Sequence, residues 1–224
     1  MMRQRLRTVP LLLALAPALL LGVSSCTPSH QNTPPLSVGD TPTPQTLSTA
    51  PMTPTQAKIV AGARKQIGDV YDASYCSISY PNGDPPAGRG ACTDVVVRSL
   101  RAAGFDLQAL VHADMIRHWD EYPHSYGLRR PDPNIDHRRV PNLSVFFRHH
   151  GQSLPNAVMP QTLWTWQPGD IVCWKMPGGA DHTGVVSDRR NASGVPLVIH
   201  NIGGCQEQDV LTVWTIAGHY RYPK

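Results

Sequence analysis

The apolar pattern of this chain changes period once, close to Trp166. Before that point apolar residues recur at intervals of three and four, the spacing of a helix face. Ile59, Val60, Ala63 and Ile67 form one such stripe. Val95, Val96, Leu100 and Ala103 form a second, and Leu107, Leu110, Val111, Met115 and Trp119 a third. After Trp166 the chain breaks into short β-branched and aromatic runs separated by turn residues: 169–174, 183–187, 197–202 and about 211–222. Runs of that kind predict strands. Helices first and strands after define an α+β domain, with a helical N-terminal half packed on a small antiparallel β-sheet.

Local signals set several boundaries. Thr53-Pro54-Thr55-Gln56 is a capping box with proline in the first turn, and Gly68 supplies a stop. Pro123 ends the third stripe, and Tyr122 to Pro141 reads as a long loop. A short helix is expected from an Asn142 cap through Phe146 and Phe147 to Gly151. The segment Tyr71–Gly90, with Pro81-Asn82-Gly83-Asp84-Pro85-Pro86 at its centre, is a loop leading into the second helix.

The first 25 residues are expected to be a leader rather than part of the fold. Arg3, Arg5 and Arg7 precede an apolar stretch, Leu11–Leu21, that is too short to prefer spanning a bilayer. Val23-Ser24-Ser25-Cys26 follows, and the whole resembles a bacterial lipobox. The resemblance implies lipidation at Cys26 and anchoring to a membrane. Thr27 in place of Asp after the cysteine favours the outer membrane, with the protein facing the periplasm. Residues 26–52 are rich in Pro, Thr and Ser and read as a flexible tether. Residues 53–224 are left for one domain. The formal charge of +4 falls to about +1 without the three leader arginines, and no lysine-rich patch points to nucleic acid.

Cys92 carries the chemical reading. It opens the second helix, where the positive end of the helix dipole is expected to lower its pKa and favour the thiolate. Cys92, Val95, Val96, Ser99, Leu100 and Ala103 share one face, which turns the thiol toward the core. Alternation then places His182, Gly184 and Val186 on one face of a strand, with Gly184 leaving room beside the ring. On the next strand Val198 and His200 share a face, so His200 can orient His182, while Asn201 points the other way. Cys92 as nucleophile, His182 as general base and His200 as the orienting group form a catalytic set for acyl transfer through a thioester. The Cys92 N–H is the natural oxyanion donor. Asp94, in the same first turn, is assigned to the helix dipole.

Gly90-Ala91-Cys92-Thr93-Asp94, Pro168-Gly169-Asp170-Ile171-Val172, Asp181-His182-Thr183-Gly184-Val185-Val186 and His200 occur in an order that resembles the NlpC-type superfamily of papain-like cell-wall cysteine peptidases. The resemblance implies a papain-like fold in which the cysteine begins a helix that packs on the sheet or half-barrel. It also implies catalytic roles for Cys92, His182 and His200. A narrower likeness covers nearly all of residues 53–224. Asn134-Ile135-Asp136-His137-Arg138-Arg139-Val140-Pro141-Asn142-Leu143, Val198-Ile199-His200-Asn201-Ile202-Gly203 and Gly218-His219-Tyr220-Arg221-Tyr222 resemble the bacterial DUF1287 family. The chain departs from the broader superfamily in its nucleophile motif, Ala91-Cys92-Thr93, and in a large insert over about 105–151.

The expectation is therefore an exported, lipid-anchored cysteine amidase or peptidase acting on peptidoglycan stem peptides, or on a related envelope amide. It would act as a monomer on muropeptides, without metal or cofactor. In the insert, Asp136, His137, Arg138 and Arg139 are candidate substrate-binding residues, because guanidinium forks hold carboxylates. Anchoring of the loop through Asp132 or Asp136 is the competing role for the two arginines. Cys76 and Cys205 flank the site in loop-like segments and are a candidate disulfide. Three other readings stand beside this one: an acyltransferase on the same thiol, a non-catalytic envelope-binding protein, and a zinc hydrolase using His137, His182 and His200 with Asp136 or Asp181.

Overall fold

A computed structural model describes residues 51–224. Among the described residues four α-helices precede the main sheet: α1 (Pro54–Arg64), α2 (Cys92–Ala102), α3 (Leu107–Arg117) and α4 (Val140–His150). Eight strands accompany them: β1 (Val70–Tyr71), β2 (Arg89–Gly90), β3 (Gln152–Ser153), β4 (Ile171–Lys175), β5 (Asp181–Arg190), β6 (Pro196–Asn201), β7 (Cys205–Gln208) and β8 (Thr215–Arg221). Six strands form one sheet in the order β3-β8-β4-β5-β6-β7, antiparallel at every pairing. β1 and β2 form a separate parallel pair. The α+β class and the order of helices before strands agree with the sequence pattern.

Helix α1 begins as its capping box requires, with the Thr53 hydroxyl accepting the Gln56 N–H and the Gln56 side chain accepting the Thr53 N–H. It ends at Arg64, so Ile67 lies beyond the helix and is exposed rather than part of the stripe. Helix α4 starts two residues before the expected Asn142 cap, because Pro141 fits the first turn of a helix. Asn142 is instead a buried link, donating to the Asp136 carbonyl. Strands β1, β2, β3 and β7 have no counterpart in the sequence pattern, whereas β8 falls within the run expected at about 211–222. Gln206-Glu207-Gln208 is all polar and carries no apolar alternation.

The sheet separates two apolar layers. On the helix side Val95, Val96 and Leu100 of α2 pack with Ile171, Val185 and Ile199. On the other side Val172, Trp174, Val186 and Val198 pack with Trp166 and Leu211. A fully buried leucine or valine side chain contributes about 1.5–3 kcal/mol, so the fixed seat of α2 rests chiefly on this layer. Asp170 closes the far end of the sheet. Its carboxylate accepts from Arg221 at 2.7 and 2.8 Å, from His219 at 2.9 Å and from the Gln167 N–H. The Pro-Gly-Asp turn thereby ties β4 to β8.

Candidate functional site

Cys92 is the first residue of α2 and is 5% exposed. Burial outweighs the helix dipole, and its thiol is pushed up to about 12. That corrects the expected depression. The backbone amides of Thr183 and Thr93 partly offset the burial by favouring the thiolate. The start of α2 is held from two directions. The Asp94 carboxylate accepts the Ala91 N–H at 2.6 Å, and Asn201 donates to the Gly90 carbonyl at 2.9 Å. Asn201 faces the helix side of the sheet, opposite to His200, as alternation requires.

His182 and His200 stand on the other face, among Trp174 and Trp214. His182 Nε2 lies 2.8 Å from His200 Nδ1, and His200 Nε2 lies 2.9 Å from Gln208 Oε1. Gln208 is oriented by its own Nε2–H, which donates to Gln206 Oε1. This chain fixes the tautomers. Gln208 Oε1 only accepts, so His200 carries its proton on Nε2. Its Nδ1 then accepts, so His182 carries its proton on Nε2 and keeps a lone pair on Nδ1. Burial lowers the pKa of both rings, that of His182 to about 3, so both are neutral at pH 7.

The expected meeting of thiol and imidazole is not made: Cys92 lies on the helix side of the sheet, and the His182 side chain projects from the opposite face of β5 toward Trp174 and Trp214. Sulfur is approached by the Thr183 N–H, and the ring belongs to the preceding residue. No hydrogen bond joins the Cys92 sulfur to either ring among the described residues. Gly184 does not leave the expected room, since a Cβ there would meet Val198 at 2.6 Å and His200 at 3.0 Å. Its role is to let β6 approach β5.

The insert behaves differently from expectation at three of its four candidate residues. Arg138 is buried and pairs bidentately with Asp94, with nitrogen–oxygen distances of 3.0 to 3.3 Å, and donates to the Ser74 and Asp72 carbonyls. It has no capacity left for a substrate. Its anchor is Asp94, not Asp132 or Asp136, and Asp94 is an ion-pair and capping residue more than a dipole partner. Asp136 is buried and accepts from the Asp132 N–H, with His112 Nδ1 at 2.9 Å from its carboxylate. His137 is buried with both ring nitrogens unpartnered, and burial lowers its pKa to about 4. Arg139 is the one that lines a surface cavity of about 710 Å³, together with Arg129, Arg130, Tyr75, His112 and Asn134. The Thr93 hydroxyl donates to the Arg138 carbonyl, which couples this wall to the first turn of α2.

The four described cysteines are free, so the expected Cys76–Cys205 bridge is not formed. The Cys76 sulfur sits 3.8 Å from Arg138. Cys205 is buried at the start of β7, with its backbone bonded to Gly68 and Asp69. The zinc set of the alternative reading is not assembled either: among the described residues no metal-ligating group includes His137, His182 or His200. Cys26 and the leader lie outside the described residues. Sequence reasoning missed Gln208, Trp174 and Trp214. The tryptophans were visible as residues, but β7 carried no signal that would bring Gln208 to His200.

A family model described as a domain of unknown function, DUF1287, matches residues 60–222. The chain is also 52% identical over 171 residues to the uncharacterized protein YijF of Escherichia coli (strain K12), covering 75% of this chain and 82% of that one. No solved structure matches. The chain belongs to the DUF1287 family.

Proposed function

We propose that the protein is an exported cysteine hydrolase of papain-like, NlpC-type architecture that cleaves amide bonds of peptidoglycan stem peptides, with Cys92 as nucleophile and His182 as base. The observation that carries this reading is the tautomer chain. Gln208 and His200 hold His182 so that Nδ1 keeps its lone pair, and the next residue in the chain, Thr183, directs its N–H at the Cys92 sulfur, while the ring itself projects from the opposite face of β5. With both the imidazole and the thiol neutral, the reading requires general-base activation rather than a resting thiolate–imidazolium pair. The step requires the His182 ring to reach the sulfur; Nδ1 then takes the thiol proton as sulfur attacks the substrate carbonyl, and returns it to the departing amine. Water then hydrolyses the thioester with the same ring as base. The Cys92 N–H, one of the unpaired first-turn donors of α2, stabilises the oxyanion.

Arg139, with Arg129 and Arg130 on the same cavity wall, suits a substrate carboxylate. The lipobox-like leader supports a lipid-anchored location facing the periplasm. The test is mass spectrometry of defined muropeptides incubated with the protein. Wild type should release cleaved fragments and Cys92→Ala none. Transfer of the acyl group to an added amine instead of water would reassign the enzyme as an acyltransferase. Equal activity in Cys92→Ala would remove the thiol from the mechanism.

A further inference from the structure

Away from Cys92, the last turn of α4 meets the C-terminal end of α3 in a cluster of histidines around two carboxylates. Asp114 is buried and accepts the Tyr122 hydroxyl at 2.6 Å. Its two oxygens also face His149 Nδ1 at 2.8 Å and His150 Nε2 at 2.7 Å. His149 turns its other nitrogen to Glu121 at 3.1 Å. His118, one helical turn after Asp114, brackets the same two acids, with Nδ1 3.2 Å from Glu121 and Nε2 3.8 Å from Asp114.

A neutral imidazole offers one N–H and one lone pair. A ring with a carboxylate at each nitrogen therefore has one lone pair aimed at another, unless a second proton or a metal ion stands between them. Two rings in this cluster are bracketed in that way. One donor atom each from Asp114, His149 and His150 lies within 4.8 Å of the others. Tetrahedral zinc, with bonds of about 2.0–2.2 Å, holds its donors roughly 3.3–3.5 Å apart, so the widest pair needs only a modest closure. His150 and His118, 43% and 44% exposed at their side chains, have the freedom to make it. A cavity of about 380 Å³, lined by Asp114, His150, Arg117, Phe146 and Tyr222, opens beside the cluster and leaves space for a water or an anion to complete the coordination.

We propose that Asp114, His149 and His150, with His118 as a fourth donor, bind a divalent transition-metal ion of the zinc class. Imidazole and carboxylate donors select such ions over magnesium or calcium, which take oxygen sets. The site shares no residue with the Cys92–His182–His200 set.

Chelator-treated protein titrated with zinc alone, and with cobalt as a spectroscopic probe, tests the site. The expected result is one ion per chain, visible cobalt absorption of a tetrahedral or five-coordinate site, and a raised melting temperature. His150→Ala and His149→Ala should each weaken binding by about tenfold or more, with circular dichroism unchanged. Cys92→Ser should bind as wild type. Absence of saturable binding below about 1 mM, a complex of only ~4 kcal/mol, would overturn the proposal. So would wild-type affinity in both histidine variants, or loss of binding in Cys92→Ser. Asp114→Asn also takes the charge from the buried acceptor of the Tyr122 hydroxyl, so the exposed His150 decides the matter if that variant fails to fold.

Discussion

Cys92 combines two opposing influences: a helix start that favours the thiolate and a burial that disfavours it. The second wins, with the thiol pushed up to about 12. At pH 7.5 the resting sulfur is protonated, and it is a poor target for a simple alkylating agent. Native protein treated with iodoacetamide should be modified first at the half-buried Cys76, with Cys92 modified only in denaturant; peptide mapping of the labelled chain reads this directly. Early, selective modification of Cys92 would indicate an open site with a stabilised thiolate. The position of Cys92 at a helix start and the pairing of His182 with His200 were legible in the sequence, because both follow from local periodicity. The degree of burial was not, because it depends on the whole sheet closing over one residue. Gln208 was likewise hidden, since a polar hairpin strand is placed by its neighbour's register and not by its own pattern.

At the scale of elements, the Asp94–Arg138 pair joins α2 to the insert and to the loop before β2. Both side chains are 2% exposed, so removing one leaves a buried charge without its partner. Asp94→Ala and Arg138→Ala should each cost about 3–5 kcal/mol, and the double variant should cost clearly less than the sum. Urea denaturation of the four proteins measures the coupling. Additive losses would mean that the pair does not act as a unit. The two arginines of the insert look equivalent in the sequence, and adjacent side chains of an irregular segment have no periodicity to separate them. Packing against α2 separated them, turning Arg138 inward and Arg139 to the cavity wall. The helices were easier to read: the capping box before α1 and the inward face of α2 are local signals, whereas the early start of α4 required weighing Pro141 as a first-turn residue.

At the scale of the molecule, buried neutral histidines make the domain sensitive to acid. His182 titrates at about 3 and His137 at about 4 in the native state, because burial disfavours the imidazolium. Unfolded, both titrate near 6.5. Well above pH 6.5 neither state is protonated, and the rings do not alter stability. As pH falls below 6.5 the unfolded chain binds protons that the native state refuses, so stability is lost down to the folded values. Each ring contributes up to about 1.4 kcal/mol per pH unit. His137→Leu should flatten the decline between pH 6 and 4, and should not destabilise at pH 7, since it removes two unpartnered buried nitrogens. Urea midpoints measured across that range, unchanged in slope by the substitution, would count against this origin of the acid sensitivity.

The most direct test of the thiol–imidazole account is intact mass spectrometry of the acyl-enzyme. Wild-type protein, Cys92→Ala and His182→Gln are each mixed with an ester of a stem peptide and quenched in acid. The account predicts one adduct per chain in wild type, mapped to Cys92, none in Cys92→Ala, and formation slowed by about 10²–10⁴-fold in His182→Gln. An adduct on another residue, or one that forms as fast in His182→Gln as in wild type, would contradict it.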